Sequence, residues 1–279
     1  MSHPGFDGDA EGKLGSLCAV LKQAARKALA ARGLRIVRLD DWQHEVVMLA
    51  VSLGTADFPP EWAQVVERVA PYTLTTPERV GGLVAAIEHV VKNEIPGTFV
   101  ECGVWRGGSS MAAALTFQRL SDLRDLYLFD TFEGMPEPSD PDIDLHGVPA
   151  SEWWDAEKQR QGAIGSGATF DDVTKAMRST GYPAERVHLV RGLVEATIPA
   201  QAPMQIAVLR LDTDFYESTR HELEYLWPRV SPGGVLIIDD YGHLKGAQQA
   251  VDEYFGNRVF LHRLDYSGRL VVKPPATGG

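Results

Sequence analysis

Residues 205–240 read QIAVLRLDTDFYESTRHELEYLWPRVSPGGVLIIDD. Two apolar runs, QIAVL and GGVLII, flank a segment of helical spacing, and each run closes on a pair of acids: Asp212 and Asp214, then Asp239 and Asp240. Both runs are continuously apolar rather than alternating, as strands covered on both faces must be. A strand, a crossover helix and a second strand make a βαβ unit, whose parallel strands bring their carboxyl ends to one rim. In open sheets of this kind that rim binds ligands.

Working outward, the same rhythm recurs upstream in TFVECGV (98–104), LYLFD (126–130) and VHLV (187–190), and downstream in VFLHRLDY (259–266) and RLVVKP (269–274). Helical segments separate the upstream runs, so the sequence predicts a doubly wound, mostly parallel α/β sheet. The last two runs are joined through Ser267 and Gly268, which suits an antiparallel hairpin at one edge. A helix is predicted to start at Thr76: its side chain can cap, Pro77 suits the first helical position, and Glu78 faces the positive end of the dipole. Val80, Leu83, Val84, Ile87, Val90 and Val91 give that helix a buried face. The two prolines of DFPPEW are expected to break regular structure, and Leu17–Ala31 reads as an alanine-rich helix. The division expected is an N-terminal helical extension over 1–70 and a main domain over 71–279. Residues 137–167, rich in Pro, Gly and Asp yet carrying Trp153 and Trp154, are too long for an ordinary connection and read as a lid.

The 279 residues can bury a large core, and their 44% hydrophobic and 23% charged content is that of a globular protein. A net charge of -11 opposes binding to nucleic acid or an anionic membrane and favours cations. No apolar run approaches the ~20 residues that cross a bilayer. With two cysteines and no basic and apolar leader at the N-terminus, the expectation is a cytoplasmic protein without disulfides.

The turn VECGVWRGGSS (100–110) carries glycines at 103, 107 and 108 before Ser109 opens a helix, a backbone that can approach a ligand closely. Trp105 stands where a dinucleotide fingerprint needs its second glycine, which disfavours a nicotinamide dehydrogenase. Glu101-Cys102-Gly103 instead is similar to the nucleotide loop of S-adenosylmethionine enzymes. Asp130 closes the next strand where such a fold places the acid that bonds the ribose hydroxyls; capping the following turn is the other use of an Asp there. Asp212 and Asp214 share a side if the strand persists. Desolvated carboxylates so placed hold a proton between them or bind a cation. Asp212, Asp239 and Asp240 could together offer hard oxygen ligands to Mg2+, provided the chain turns after Asp239. Helix caps and solvated loop acids are the alternative reading of the same residues.

Taken together, YTLTTPERV, IPGTFVECGVWRGGSS, LYLFDTFEGMPEP, GYPAERVHLVRGLVEATIP, the 210–242 stretch and KGAQQAVDEYF resemble the macrocin O-methyltransferase family from about Tyr72 to Phe255. That resemblance implies a class I methyltransferase (Rossmann-like) fold, S-adenosylmethionine as methyl donor, Mg2+ as cofactor, a glycosylated natural product as small-molecule substrate, and a homodimer. It implies metal ligation by Asp212, Asp239 and Asp240, with Asp214 as general base. It implies cofactor contacts from Leu74, Glu101, Gly103, Arg106, Ser109, Asp130, Val194, Glu195 and Asp212. Leu74 stands where the family often has Met, and GLVEAT departs from the family's usual Gly-Trp-Val-Glu-Asp-Thr. A catechol-type O-methyltransferase and a non-catalytic S-adenosylmethionine-binding protein are the competing readings.

Overall fold

The computed structural model describes residues 55–154 and 168–275. The described residues all fall within one compact unit of the chain. The helix expected over Leu17–Ala31 and the later part of the expected lid, 155–167, lie outside the described residues.

Seven strands form one sheet in the order β3-β2-β1-β4-β5-β7-β6. They are β1 (Thr98–Cys102), β2 (Leu126–Asp130), β3 (Val187–Arg191), β4 (Ile206–Leu211), β5 (Val230–Ile238), β6 (His262–Arg263) and β7 (Arg269–Val272). The first five pair in parallel, whereas β7 runs antiparallel to both β5 and β6. The expected doubly wound sheet and edge hairpin are therefore present. Every residue of β4 is buried, which accounts for the apolar run 206–209. No helix among the described residues is long and apolar enough to cross a membrane.

The α-helices lying wholly within the described residues are α1 (Pro60–Val69), α2 (Pro77–Lys92), α3 (Gly108–Arg119), α4 (Phe170–Arg178), α5 (Val194–Thr197), α6 (Tyr216–Leu226) and α7 (Lys245–Phe255). The prolines of DFPPEW start α1 rather than break it: Pro59 is the N-cap and Pro60 the first helical residue, where a missing N–H costs nothing. Val65, Val66 and Val69 of α1 are buried in the same core as α2 and α3, so the main unit reaches back well before residue 70. Helix α2 begins as its sequence predicts, with the Thr76 hydroxyl accepting from the Arg79 backbone N–H at 3.3 Å.

Register places the two acid pairs side by side. Cys102 is level with Leu211 across β1 and β4, and Leu211 with Ile238 across β4 and β5. Asp212 and Asp239 are thus the next residues on adjacent strands, held there by Asp212 N–H to Cys102 O at 2.8 Å and Asp239 N–H to Leu211 O at 2.9 Å. Gly103 is obligatory at this rim: its φ is +80°, and a Cβ there would lie 2.0 Å from the Asp212 carbonyl oxygen.

Candidate active site

A cavity of about 580 Å³ opens above the carboxyl ends of β1, β2, β4 and β5. Of the residues singled out from sequence, Leu74, Gly103, Ser109, Asp130, Val194, Glu195, Asp212, Asp214, Asp239 and Asp240 line it. Two do not. Glu101 is buried beneath the floor, where it accepts from Arg210 at 2.6 Å and from the Ser110 hydroxyl. Arg106 is exposed, its guanidinium 5.7 Å from the Trp105 ring centroid.

On the donor side, the Asp130 carboxylate braces the glycine loop. One oxygen accepts from the backbone N–H groups of Val104 at 2.6 Å and Trp105 at 3.0 Å, and the other accepts from Phe132 N–H at 2.7 Å. The first oxygen thereby uses both its lone pairs, and the brace leaves accepting capacity at the second, which takes one backbone N–H. Leu74 and Leu193 line the same cavity while remaining 78% and 47% exposed, an apolar rim suited to a flat ring. A nucleotide-like donor fits this half: acceptors at Asp130 and Glu195, apolar walls, and a loop that brings Gly103, Gly108 and Ser109 to the cavity.

The acid side is organised by two buried arginines. Arg210 projects from β4 and donates to Glu101 at 2.6 Å, Asp212 at 2.7 Å, Asp239 at 2.6 Å and the Thr75 hydroxyl at 3.1 Å. Arg79, from the first turn of α2, pairs with the other oxygen of Asp239 and, at 3.0 Å, with Asp265. Asp239 is therefore held by a guanidinium at each oxygen. Asp214 and Asp240 have no ion-pair partner among the described residues.

The strand ends at Leu211, and Asp214 sits in the left-handed region with φ +70°. That turn brings one oxygen each from Asp212, Asp214 and Asp240 within 4.8 Å of one another. The set differs from the sequence expectation, which grouped Asp239 with Asp212 and Asp240. Burial, then the neighbouring Asp212 carboxylate, pushes Asp214 up to about 7. Burial also raises Asp240, with Asp214 and Asp239 adding to it, and raises Asp212 against the opposing pull of Arg210. Burial is the first cause for all three, and neighbouring carboxylates add to it.

The cluster fits a divalent cation. Its donors are hard carboxylate oxygens, and Oδ2 of Asp240 is buried without a hydrogen-bond partner among the described residues. A cation there would relieve the repulsion that protonation otherwise relieves.

Sequence reasoning missed Arg79 and Arg210. Arg210 had a signal: a charged residue inside IAVLRL must be buried, and a buried arginine must be paired. Arg79 had a weaker one, lying one position before the apolar face of α2. Trp153, Met135, His243, Leu244 and Tyr266 also line the cavity.

A family model described as macrocin-O-methyltransferase (TylF) matches residues 57–266. The chain is 36% identical over 187 residues to the 8-demethyl-8-(2,3-dimethoxy-alpha-L-rhamnosyl)-tetracenomycin-C 4'-O-methyltransferase of Streptomyces olivaceus, a match covering 66% of this chain and 68% of that one. It is 33% identical over 185 residues to the demethyldecarbamoylnovobiocin O-methyltransferase of Streptomyces niveus, covering 66% and 67% of the two. Among solved structures, the O-methyltransferase NovP superposes with a TM-score of 0.63 at 30% identity, over 73% of this chain and 82% of that one.

Proposed function

The chain belongs to the macrocin O-methyltransferase family and is an O-methyltransferase, and from that premise we propose that it methylates a sugar hydroxyl of a glycosylated natural product. The donor proposed is S-adenosylmethionine, and the cofactor Mg2+. One observation carries the reading: three carboxylates converge within 4.8 Å of one another in the cavity that a glycine-rich strand-to-helix loop also lines. The S. olivaceus relative, whose name specifies a rhamnosyl substrate, supports the choice of a glycoside.

When bound, the cation would polarise an acceptor hydroxyl and the donor would supply an electrophilic methyl group. Asp212 and Asp240 would hold the cation. Asp214, raised to about 7, is the proposed general base, since a carboxyl tuned near neutrality accepts a proton with most effect. Asp239 contributes through its two arginines, which fix the end of β5 beside β4. On the donor half, Asp130 holds the Val104–Trp105 backbone open, while Leu74, Val194 and Glu195 would border the adenosine. Trp153 offers an aromatic face to a sugar or aglycone ring, and its indole would exclude water from the acceptor side. Orientation of the two reactants by these fixed walls would supply much of the acceleration.

The test is transfer of a labelled methyl group to a panel of deoxysugar glycosides and catechols, with and without chelator. Turnover on glycosides that stops with chelator and returns with Mg2+ is expected. Asp214→Asn should lower turnover by about 10²–10⁴-fold while S-adenosylhomocysteine still binds. Turnover confined to catechols, or indifferent to the chelator, would refute the substrate or the metal assignment respectively.

A further inference from the structure

Residues 137–154, the described part of the insertion, are anchored on the acid-bearing turns. Asp142, 1% exposed, is the centre of the anchor. One carboxylate oxygen accepts from the Ser139 N–H at 2.7 Å and the Ser139 hydroxyl at 2.8 Å. The other accepts from the Tyr216 N–H at 2.8 Å, the first residue of α6 and two positions after Asp214. The Asp142 carbonyl accepts from Ala150 N–H at 2.7 Å, closing the insertion on itself.

A second arm reaches the other acid pair. Lys245 N–H donates to the Ile143 carbonyl at 2.8 Å, and an isolated bridge joins Asp144 to Leu244. Leu244 in turn donates its N–H to the Asp240 carbonyl at 3.0 Å. Gly246 leaves the room this needs, because a Cβ there would lie 2.0 Å from Oδ1 of Asp142. Around the contact Ala150, Phe215, Leu244 and Ala247 form a small apolar cluster, with Trp153 and Met135 packed against it.

We propose that Asp142 is a positioning residue that locks the acceptor wall bearing Trp153 to the turns bearing Asp214 and Asp240, so that wall and carboxylates keep one geometry. A buried carboxylate accepting from three donors on two segments is costly to uproot, since any donor it releases is left unpaired in the interior. The described part of the insertion is thus a fixed wall of the site, and Asp142 acts through Tyr216 and Ser139 without touching a reactant. Only the kinetic arm of the test rests on the glycoside reading above.

The test compares wild type with Asp142→Ala, Asp142→Asn and Gly246→Ala by amide hydrogen exchange on the unliganded full chain. For Asp142→Ala, protection should fall by roughly tenfold or more in peptides covering both 139–150 and 213–218. Asp142→Asn can still accept from Tyr216 N–H but offers an amide to Ser139, so 213–218 should stay protected while 139–150 opens. Gly246→Ala should reproduce the Asp142→Ala pattern from the other side of the contact. Adding it to Asp142→Ala should lower Tm little further, because both changes act on one contact. In methyl transfer to a deoxysugar glycoside, Asp142→Ala should lower kcat by about tenfold, with the Kd for S-adenosylhomocysteine within about twofold of wild type. In a folded Asp142→Ala protein, loss of protection confined to 139–150, unchanged kcat, or Tm losses additive with Gly246→Ala would each overturn the assignment. Should Asp142→Ala fail to fold, Gly246→Ala decides it: loss of protection in both segments supports the assignment and loss confined to one overturns it. A wild type inactive on every glycoside would count against the proposed substrate, and the exchange result would still decide the role of Asp142.

Discussion

Replacing Asp214 by Asn should stabilise the metal-free protein at pH 8 and leave its stability at pH 4 nearly unchanged. Asp214 titrates near 3.8 in an unfolded chain and at about 7 in the folded one, because burial and then Asp212 oppose its ionised form. Between those values the folded state binds a proton that the unfolded state has released, so stability is fully present below 3.8 and is lost as pH rises through 7. A difference of that size corresponds to ~4 kcal/mol at ~1.4 kcal/mol per unit. Asp214 is only partly buried against the cavity, and solvent screening reduces the expectation to ~2 kcal/mol. The assay is denaturant or thermal unfolding in chelator, wild type against Asp214→Asn, from pH 4 to pH 8. The two curves should meet near pH 4 and diverge in favour of the variant, reaching a Tm gap of about 4–8 °C at pH 8. Adding Mg2+ should close the gap by stabilising wild type, where a cation on Asp212 and Asp240 would offset the repulsion felt by ionised Asp214. Parallel curves across the range would refute the view that Asp214 is held against its charge.

Arg210→Met should cost ~3–5 kcal/mol at pH 8 by chemical denaturation, since it strands Glu101 and Asp212 and leaves Asp239 with Arg79 alone; the loss should shrink at lower pH as Glu101 and Asp212, both raised by burial, protonate. Gly103→Ala should destabilise by ~2 kcal/mol or more and weaken S-adenosylhomocysteine binding by calorimetry, because φ +80° and the Asp212 carbonyl 2.0 Å away leave a methyl group no position.

Most of the fold was legible in the sequence because sheet architecture writes itself in long-period signals. Seven apolar runs of strand length became seven strands, and the short link through Ser267 and Gly268 became the β6–β7 hairpin. Thr76, Pro77 and Glu78 marked the start of α2 because capping is decided within one turn. Pro59 and Pro60 misled for the complementary reason. Two prolines forbid a helix interior, yet the same missing N–H groups are harmless at its first positions. Only the burial of Val65, Val66 and Val69 against α2 and α3, a property of contacts far apart in the chain, decides between the two readings.

The site was legible as a location and less so as a circuit. Strand-terminal acids must gather at one rim of a parallel sheet, so the neighbourhood of Asp212, Asp214, Asp239 and Asp240 followed from topology alone. Which acid takes which partner depends on where positive charge enters, and that is set by α2 crossing over the end of β5. Arg79 arrives there and takes one oxygen of Asp239, while Arg210 rises from β4 to take the other. Asp239 is neutralised by protein, and the chain turns after it, leaving Asp240 with a buried oxygen that has no hydrogen-bond partner among the described residues. Two adjacent and chemically identical residues thus acquire opposite roles. Asp239 ties the strands together, and Asp240 joins Asp212 and Asp214 in a cluster whose charge asks for a cation. Had the guanidinium groups reached Asp214 and Asp240 instead, the same acids would form a salt-bridged surface with nothing left to hold a metal or accept a proton.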